Sequence, residues 1–519
     1  MHHFLINFGG EITVKGRRTR ESFVRRLEHN LRDALDAHGH SDAVLRREWT
    51  RIFVSSSEPE LAPLLSRVFG VQSVARAEVR PWRDFEHLVS LGSELFLDVV
   101  RGRTFAVRAR RGAEATRIPF KSPDVERAIG SRLLEQSAGV DLEAPEVVVR
   151  IELHGDEAWF FHQRADGPGG LPAGTEGRAL ALLSGGFDSP VAAWRMMRRG
   201  LRLDYVFFNL GGDEHRDRVL DVAKILSDRW SFGYRPKLHL IDLREAAQEL
   251  KQQTPPRLWQ VLLKRRMLAI AERMAWALRA RGLVTGDALG QVSSQTLSNL
   301  GVVQHDTRLP VLRPLVGACK DEIFVDARRM DTYDASSKVP EYCGLTPEDG
   351  SSVAATHSTV EEVQQAERAL DPHLPSRLLD ERATFDLRAL DLARARSTNL
   401  AIEDLDALGE ELDRVVWIDL RSRAAYEAWH LGDEGSGQSK HLAFPAVLDT
   451  FRSLDPDRDY VTYCEVGLKS AQLAAAMVEA GYRARHVAGG SHRALRWAER
   501  RHDPALRAAL SPVLLDDSR

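Results

Sequence analysis

The sequence predicts a multidomain protein of mixed α+β and α/β class, with a doubly wound parallel sheet in its central domain. The chain has 519 residues, which is more than a single hydrophobic core usually supports, so several domains are expected. From residue 178 onward, short apolar runs alternate with amphipathic helix patterns, as is typical of parallel sheets. The first apolar run ends in the turn Ser-Gly-Gly-Phe-Asp-Ser at 184–189, where sheets of this kind bind their ligands.

Two smaller α+β units are predicted before the central domain. Residues 1–60 alternate a strand, a basic helix and a strand, and residues 61–165 contain further helix and strand patterns, including the basic run TFAVRARR. The stretch DGPGGLPAGTEG at 166–177 is rich in glycine and proline, and it is expected to be a linker.

The central domain is expected to cover residues 178–345, followed by a charged, partly helical connector at 346–405. Residues 406–519 alternate strands and helices again, which predicts a second α/β domain. No apolar run approaches the roughly 18 residues that a membrane span needs, and the first residues lack the order of a signal peptide. A cytoplasmic protein without membrane contact is therefore expected.

Charge is distributed unevenly along the chain. The net charge of −3 distinguishes no class of partner, but residues 101–121 hold seven basic residues against one acid, Glu114. Such a concentration of positive charge suits the phosphate backbone of a nucleic acid. A solvent-exposed strand with arginines at its edges is the alternative.

The turn at 184–189 has the chemistry of a phosphate site. Gly185 and Gly186 allow the backbone N–H groups to approach a ligand, while Asp188 and Ser189 stand at the start of a helix. An ordinary N-capped helix is the alternative. The pattern SGGxDS resembles the PP-loop of the ATP pyrophosphatases, and this resemblance implies that the turn cradles the pyrophosphate of ATP.

Further segments extend the resemblance over nearly all of the chain. GEITVKGRRTR stands at 10–20, and FFNLGGDEH, VLLKRRM, LVTGDALGQVSSQTLSNL, VLRPLVGACKDEI and KVPEYCG follow the turn in that order. Together they closely resemble the tRNA 4-thiouridine synthetase family, which are tRNA uracil 4-sulfurtransferases. The resemblance implies a ferredoxin-like domain at 1–60, an RNA-binding THUMP domain at 61–165 and a PP-loop domain at 178–345.

The resemblance also implies which residues form the sites. ATP would be held by Leu182, Leu183, Ser184, Gly185, Gly186, Asp188, Ser189, Lys264, Gly286 and Gln295. Asp188 and Lys320 are the predicted catalytic pair, one supporting Mg²⁺ and pyrophosphate and the other stabilising charge on the phosphoryl oxygens. A surface helix lysine is the alternative for Lys320. The tRNA would contact Lys15, Arg108, Arg110, Arg111 and Lys121, and no metal site is expected beyond the Mg²⁺ that accompanies ATP.

Three cysteines are too few and too scattered for a disulfide framework or a zinc site. Cys464 opens CEVGLKS between a strand and a helix N-terminus, which favours the thiolate, and Lys469 adds a cation. With IDLRS upstream and VAGG downstream, the segment at 406–519 resembles a rhodanese domain, whose cysteine carries a persulfide. Because Glu465 replaces the usual basic residue, a cysteine desulfurase is expected as the sulfur donor rather than thiosulfate.

Cys343, in VPEYCG, is either a packed turn residue or, as the resemblance implies, the thiol that resolves the persulfide. After the persulfide sulfur has attacked C4 of an adenylated uridine, a neighbouring thiolate can release it by forming a transient Cys343–Cys464 disulfide, which a thiol reductant then reduces. The connector would allow the rhodanese domain to swing onto the PP-loop domain. Cys319 is expected to be structural, and Asp419 and Arg421 to support the rhodanese loop.

The predicted function is ATP-dependent thiolation of uridine 8 of tRNA, with sulfur supply to a carrier protein of thiamine thiazole synthesis as a further activity. A different PP-loop enzyme, such as an amidotransferase-type synthetase or a 2-thiouridine sulfurtransferase, is disfavoured by the THUMP-like start and by PEYCG. A non-catalytic RNA-binding protein is disfavoured by the intact turn, Lys320 and both thiols. A sulfur carrier without tRNA activity remains an alternative. A homodimer would allow one subunit to bind the tRNA that the other modifies.

Overall fold

The computed structural model describes residues 1–48, 51–112, 118–339, 345, 357–397, 399–432 and 435–500. These residues form two compact units. The first comprises Met1–Arg178, Trp194–Arg202 and Arg229–Tyr234, and the second comprises Ala179–Ala193, Leu203–Asp228 and the described residues from Arg235 onward. Among the residues in these ranges, no helix has both the length and the apolar character that crossing a membrane requires.

The first unit contains a large sheet and its covering helices. Its strands are β1 (His2–Phe8), β2 (Val44–Arg47), β3 (Arg51–Ser56), β4 (Val71–Pro81), β5 (Thr104–Arg111), β6 (Gly139–Val140), β7 (Val147–His154), β8 (Glu157–Phe161) and β9 (Ala165–Asp166). Its helices are α1 (Gly10–Thr13), α2 (Arg17–Ala37), α3 (Ala62–Leu65), α4 (Phe85–Val100) and α5 (Ser122–Leu133), with a 3₁₀ turn at Leu134–Gln136.

One strand joins the two N-terminal cores. The strand order is β2-β3-β1-β4-β8-β7-β5-β6, with β9 also on β4. The first part of β4 pairs antiparallel with β1, and its last four residues pair antiparallel with β8. Helix α2 buries Leu27, Leu31 and Leu35 in one core, whereas α4 and α5 cover β5 and β7 in another. The segments predicted at 1–60 and 61–165 therefore have separate hydrophobic cores within one continuous sheet.

The segment 166–177, which the sequence predicts to be a linker, is packed instead. Residues 167–173 are buried, and the N–H groups of Gly167 and Gly169 donate to the β4 carbonyls of Gln72 and Val71 at 2.9 and 2.8 Å. A Cβ on Gly167 would lie 2.2 Å from the Val71 oxygen. Here the glycines allow the backbone of this segment to pack closely against β4. A glycine-rich composition is equally compatible with a flexible linker, so composition alone does not distinguish the two.

The remaining elements follow in chain order. The strands are β10 (Arg178–Leu182), β11 (Arg202–Asn209), β12 (Lys237–Asp242), β13 (Leu283–Val284), β14 (Val311–Leu312), β15 (Ala383–Asp386), β16 (Ala401–Ile402), β17 (Val416–Asp419), β18 (Ser439–His441), β19 (Asp459–Tyr463) and β20 (Arg483–Val487). The helices are α6 (Asp188–Arg198), α7 (Gly212–Trp230), α8 (Arg244–Gln253), α9 (Trp259–Ala277), α10 (Leu297–Gln304), α11 (Lys320–Arg329), α12 (Tyr333–Ser336), α13 (Val360–Glu367), α14 (Leu374–Asp380), α15 (Leu392–Ser397), α16 (Arg423–Ala428), α17 (Val447–Thr450), α18 (Leu468–Glu479) and α19 (Ser491–Arg500). Short 3₁₀ segments lie at Pro256–Leu258, Ser293–Gln295, Leu405–Asp413 and Phe451–Ser453.

Two sheets organise the second unit. One has the order β14-β13-β10-β11-β12-β15, in which β14–β13, β13–β10 and β11–β12 are parallel pairs. Its strands pack through Leu180, Val206 and Ile241 against α9. The other has the order β16-β20-β19-β17-β18 and is parallel throughout. Apolar cores cover both of its faces, as expected for α/β architecture. The predicted fold class is confirmed.

The described parts of the predicted connector, 357–397 and 399–405, are built into these domains. Strand β15 pairs antiparallel with β12 and forms an edge of the first sheet. Leu374 and Leu378 of α14 are buried in the same core as α9. The sequence predicts a connector here because the segment is charged, but its few apolar residues are all that an edge strand and three short helices need.

Candidate active site

The predicted nucleotide turn connects β10 to α6. Gly185 has a φ of +80°, and a Cβ there would come within 2.8 Å of Val219 Cγ2, so glycine is required. The N–H of Ser184 donates to Ser189 Oγ at 2.9 Å, which ties the turn to the start of the helix. A glycine turn followed by a helix N-terminus favours an anionic ligand.

Gly286 brings a second loop against this turn. It follows β13, and a Cβ on it would lie 2.8 Å from the nitrogen of Ser189 and 2.9 Å from the carbonyl carbon of Asp188. Buried Leu183 donates its N–H to Val206 of β11 at 2.9 Å, and partly buried Leu182 packs against the sheet core. Through these backbone and apolar contacts, the two leucines position the turn at the carboxyl end of the central strand β10.

Asp188 and Lys320 meet at the start of α6. Lys320 Nζ lies 2.9 and 3.2 Å from the two carboxylate oxygens of Asp188, and Gln291 Nε2 donates to the same carboxylate at 2.9 Å. Lys320 is the first residue of α11, and the carboxylate of Glu322 accepts the N–H of Cys319 at 2.9 Å. The thiol of Cys319 is exposed, so this residue helps to begin the helix through its backbone.

Asp287 contacts Lys264 and Gln295, the two remaining residues that were predicted to bind ATP. Its carboxylate lies 3.2 Å from Lys264 Nζ and 3.4 Å from Gln295 Nε2. It also accepts from Thr285 Oγ1 at 2.8 Å and from Arg313 Nε at 3.3 Å. Burial acts to raise the pKa of Asp287, but Lys264, Thr285 and Arg313 outweigh it and hold the pKa below its usual value. The sequence analysis missed Asp287 and Arg313, although an acid three residues after the end of a parallel strand was a signal for the first.

Cys343 lies outside the described residues, but Val339 and Leu345, which flank it in the sequence, lie in the domain that carries the nucleotide turn. The methyl groups of Val339 lie 3.3 Å from the point that a Cβ on Gly185 would occupy. Leu345 is buried in the core that includes α9. The role predicted for Cys343 therefore stays a prediction.

Cys464 follows β19 directly and is fully buried. The N–H of Gly467 donates to its Sγ at 3.1 Å, and Ser470 Oγ lies 3.6 Å from the same sulfur. Gly467 adopts a φ of +93° and Gly490 one of +65°, and a Cβ on Gly490 would lie 2.3 Å from the Cys464 oxygen. The loop thus aims hydrogen-bond donors at the sulfur from the start of α18, which favours a thiolate or a persulfide anion.

The cation predicted to assist Cys464 is already paired. Lys469 Nζ lies 2.6 Å from Glu465 Oε2, and both side chains are nearly buried. The charge that Lys469 contributes at the sulfur is therefore offset within the loop.

Asp419 and Arg421 form a buried two-pronged ion pair with N···O distances of 2.7 to 3.1 Å. The guanidinium of Arg421 also donates to the backbone oxygen of Trp429 at 2.5 Å, and it lies 3.9 Å from the centroid of the Trp429 ring. These contacts hold the strand end beside the Cys464 loop, in line with the supporting role expected of both residues.

The predicted RNA contacts lie in the first unit. Lys15 is exposed over the ring of Phe23, and Arg108 and Arg110 are exposed on β5. Arg111 is tied by its guanidinium to the Phe120 oxygen at 3.0 Å, and Lys121 is exposed at the start of α5.

A cavity of about 310 Å³ adds three arginines that the sequence analysis missed. Arg51, Arg150 and Arg164 line it together with Arg108 and Arg110. Among the described residues that line it, the one acid is Glu152, which is paired with Arg51 at 3.1 Å. Burial acts to raise the pKa of Glu152, but hydrogen bonds from His154 and Arg51 outweigh it and bring the pKa to about 2. Five arginines against one carboxylate give the cavity a net positive charge, which suits phosphate.

Family models match four stretches of the chain. A model described as the thiamine biosynthesis protein (ThiI) matches residues 174–370, and a ThiI ferredoxin-like domain matches residues 3–75. A THUMP domain matches residues 83–162, and a rhodanese-like domain matches residues 402–493. The predicted set of domains is confirmed.

Curated relatives extend over nearly the full chain. The tRNA sulfurtransferase of Desulfurococcus amylolyticus is 35% identical over 496 residues, covering 94% of this chain and 98% of its own. The tRNA sulfurtransferases of Pyrobaculum aerophilum and Serratia proteamaculans are 36% and 33% identical, each over 92% of this chain and over 94% and 98% of their own.

A solved structure shares most of the fold. A 4-thiouridine synthetase, crystallised as an RNA complex with bound ATP, superposes with a TM-score of 0.65 at 28% identity and covers 74% of this chain and 99% of its own. The Pyrococcus horikoshii protein PH1313 shares the fold at a TM-score of 0.51 and 22% identity, over 64% of this chain and 100% of its own. With domains, relatives and fold in agreement, the chain belongs to the tRNA sulfurtransferase family.

Proposed function

We propose that this protein uses ATP to transfer persulfide sulfur to tRNA, converting uridine 8 to 4-thiouridine through an adenylated uridine. The observation that supports this most directly is the convergence of Asp188, Lys320 and the Asp287 cluster on one glycine turn. The same chain carries a buried thiol held by loop hydrogen-bond donors. An activating site and a sulfur-donating site are the two parts that thiolation of a carbonyl requires.

The first step activates the uridine. O4 of the base attacks the α-phosphorus of ATP, an O–P bond forms, the N3 proton of the base passes to solvent, and pyrophosphate leaves with the electrons of the broken P–O bond. The glycine turn and the start of α6 accommodate the phosphates, and Lys320 neutralises charge that develops on their oxygens. Mg²⁺ that arrives with ATP would be supported by the Asp188 carboxylate, whose oxygens are the ligand type that this ion prefers.

The second step transfers sulfur. The terminal sulfur of the Cys464 persulfide attacks C4 of the base, a C–S bond forms, and AMP leaves. The Cys343 thiolate then attacks Sγ of Cys464, which breaks the S–S bond, releases 4-thiouridine and leaves a Cys343–Cys464 disulfide. A thiol reductant supplies the two electrons that restore both thiols, and a cysteine desulfurase reloads Cys464.

The neighbourhood of Cys343 supports this resolving role. Val339, four residues before it, lies beside Gly185 of the turn, and Leu345, two residues after it, is buried in the PP-loop domain core.

The arginine-lined cavity supports tRNA as the substrate. Arg108 and Arg110, which were predicted to bind RNA, share it with Arg51, Arg150 and Arg164. Positive charge concentrated on one concave surface recognises phosphates without requiring a particular base sequence.

A second candidate function is sulfur supply for thiamine thiazole synthesis, through a carrier protein that accepts sulfur from Cys464. The description of the matching family model as a thiamine biosynthesis protein favours it. This activity would need the rhodanese domain but neither Asp188 nor Lys320.

The test is the 4-thiouridine content of bulk tRNA from cells that lack this gene and receive a variant. Wild type and Cys319→Ser, which changes an exposed thiol outside the proposed chemistry, should restore the modified base. Asp188→Ala, Cys343→Ser and Cys464→Ser should not. If Cys343→Ser restores it, the resolving step is wrong. If wild type fails with a sulfur donor present, tRNA thiolation itself is wrong and thiazole sulfur supply becomes the leading candidate.

A further inference from the structure

The segment 383–397 fastens the rhodanese domain to the PP-loop domain. On one side, β15 is hydrogen-bonded to β12, and Lys224 Nζ of α7 donates to the Leu387 oxygen at 2.9 Å. Arg396 of α15 pairs with Asp221 of α7 at 2.7 Å. On the other side, α15 packs along α18, the helix that begins directly after the Cys464 loop. A segment anchored at both faces does not behave as a flexible tether.

The contacts with α18 are specific and partly buried. Gln472 is only 4% exposed; its Nε2 donates to the Ala389 oxygen at 2.9 Å, and its Oε1 accepts the N–H of Asp391 at 3.0 Å. Lys469 Nζ lies 3.4 Å from the Thr384 oxygen. A buried amide that satisfies two backbone groups fixes one orientation of the two surfaces, because displacement leaves all of these groups unpaired.

This attachment places the Cys464 loop beside the first turns of α7, a helix that also contacts the nucleotide turn. A cavity of about 280 Å³ is lined by Glu465 and Val466 of the loop and by Asp213 and Arg216 of the first turns of α7. Val219, one turn further along α7 than Arg216, lies beside Gly185 of the nucleotide turn. The N-terminal half of α7 therefore contacts both loops.

We propose that residues 383–397 are a fixed dock, through which each chain delivers sulfur from its own Cys464 to its own PP-loop domain. The proposal rests on the function proposed above and adds that delivery occurs in cis. It replaces a swing of the whole rhodanese domain by a local displacement at the surface of α7. In the docked state Cys464 is fully buried, so loading and delivery both require its loop to open.

Chains that are deficient in different steps test delivery in cis. Asp188→Ala and Cys464→Ser chains, carrying different tags, are co-expressed, and complexes containing both are isolated and supplied with ATP, tRNA and a persulfide donor. Within one chain, the effective concentration of the Cys464 persulfide at the PP-loop domain is in the millimolar range, whereas separate chains meet at about 1 μM. Dissociated variant chains should therefore form roughly 10³-fold less 4-thiouridine than wild type. Within a joint complex the dock predicts the same loss.

Substantial activity in the joint complex would overturn the dock. Each single variant is assayed alone first, because activity of Asp188→Ala or Cys464→Ser alone would instead refute the function proposed above. The two failures are thus distinguishable.

Gln472→Ala tests the dock surface itself. The variant loses both buried hydrogen bonds to the segment, so single-turnover release of 4-thiouridine should fall about tenfold. Persulfide loading of Cys464, measured by mass spectrometry, should be retained, which shows that the rhodanese domain is folded. Gln252→Ala, an exposed change on α8, is the matched control. Wild-type release by loaded Gln472→Ala would exclude a role for this contact, and with it the dock.

Discussion

The nucleotide turn and the Cys464 loop are both glycine-containing links from a parallel strand to a helix, but they handle charge differently. At the nucleotide turn, which lies at the carboxyl end of strand β10, Lys320 is paired with Asp188 and Lys264 is paired with Asp287. At Cys464 the cation Lys469 is offset inside the loop by Glu465, and the sulfur is buried. The first arrangement suits a large polyanion that enters from solvent, whereas the second suits a reactive sulfur that must be kept from small anions and oxidants.

The largest effect is expected from removing the cation of the nucleotide turn. Lys320→Ala should lower the rate of tRNA adenylation by about 10²–10³-fold, because a positioned group that stabilises transition-state charge is lost. Persulfide loading of Cys464 should be unchanged. Lys251→Ala, an exposed lysine on α8, is the control, and pyrophosphate release in a single turnover is the measurement. If Lys320→Ala and Lys251→Ala slowed pyrophosphate release equally, Lys320 would have no special role in stabilising charge at the nucleotide turn.

Asp287→Asn should separate binding from chemistry at the same turn. Without the carboxylate, Lys264 and Gln295 lose their common partner, and the KM for ATP should rise about tenfold with a smaller change in kcat. Because neighbouring cations hold the pKa of Asp287 below its usual value, the wild-type KM should stay constant as the pH is lowered to about 5. A loss of kcat with unchanged KM would show that the residue acts elsewhere.

At the Cys464 loop, Glu465→Gln should release Lys469 and admit a small anion. The expected reaction transfers the outer sulfur of thiosulfate to the Cys464 thiolate, which forms the persulfide and releases sulfite. Its rate should increase about tenfold, the size of effect that one unpaired charge near a reacting anion has at partial burial. Glu427→Gln, an exposed change on α16, is the control. An unchanged rate would mean that Glu465 does not determine the choice of donor.

The smallest effect is expected from Ser470→Ala. The hydroxyl lies 3.6 Å from Sγ, while the N–H of Gly467 remains at 3.1 Å, so persulfide loading should slow only about twofold. A stopped-flow measurement of loading resolves this change. A loss above tenfold would show that the loop depends on the hydroxyl more than on the backbone donor.

Both loops could be predicted because their key residues are contiguous, so that a strand, a turn and a helix start are visible in one stretch of sequence. Asp287 could not be interpreted in this way, since its meaning comes from Lys264, Gln295 and Arg313, which three separate segments bring to it. The same applies to Arg51, Arg150 and Arg164, which come from three separate segments of the chain and meet in one cavity only after folding.

Composition alone was also insufficient for segments 166–177 and 383–397. A glycine-rich stretch looks the same in sequence whether its glycines give flexibility or permit close packing, as Gly167 does. In the second segment, the short edge strand β15 was not recognised because the residues around it are charged. The packing partners that decide between these outcomes, β4 and β12, lie roughly 100 to 150 residues away in the sequence, beyond the reach of local patterns.

Strand β4 has a consequence for how the N-terminal half meets an RNA. Its 11 residues extend about 36 Å through both N-terminal cores at the rise of a β-strand, without a hinge between them. The residues predicted to bind RNA in the two parts of this sheet, Lys15 in one and Arg108 and Arg110 in the other, are therefore held at a fixed spacing. Under the proposed function, an RNA whose phosphates are spaced differently would have to deform to fit, so helix length and shape would act as selection criteria before any base is contacted.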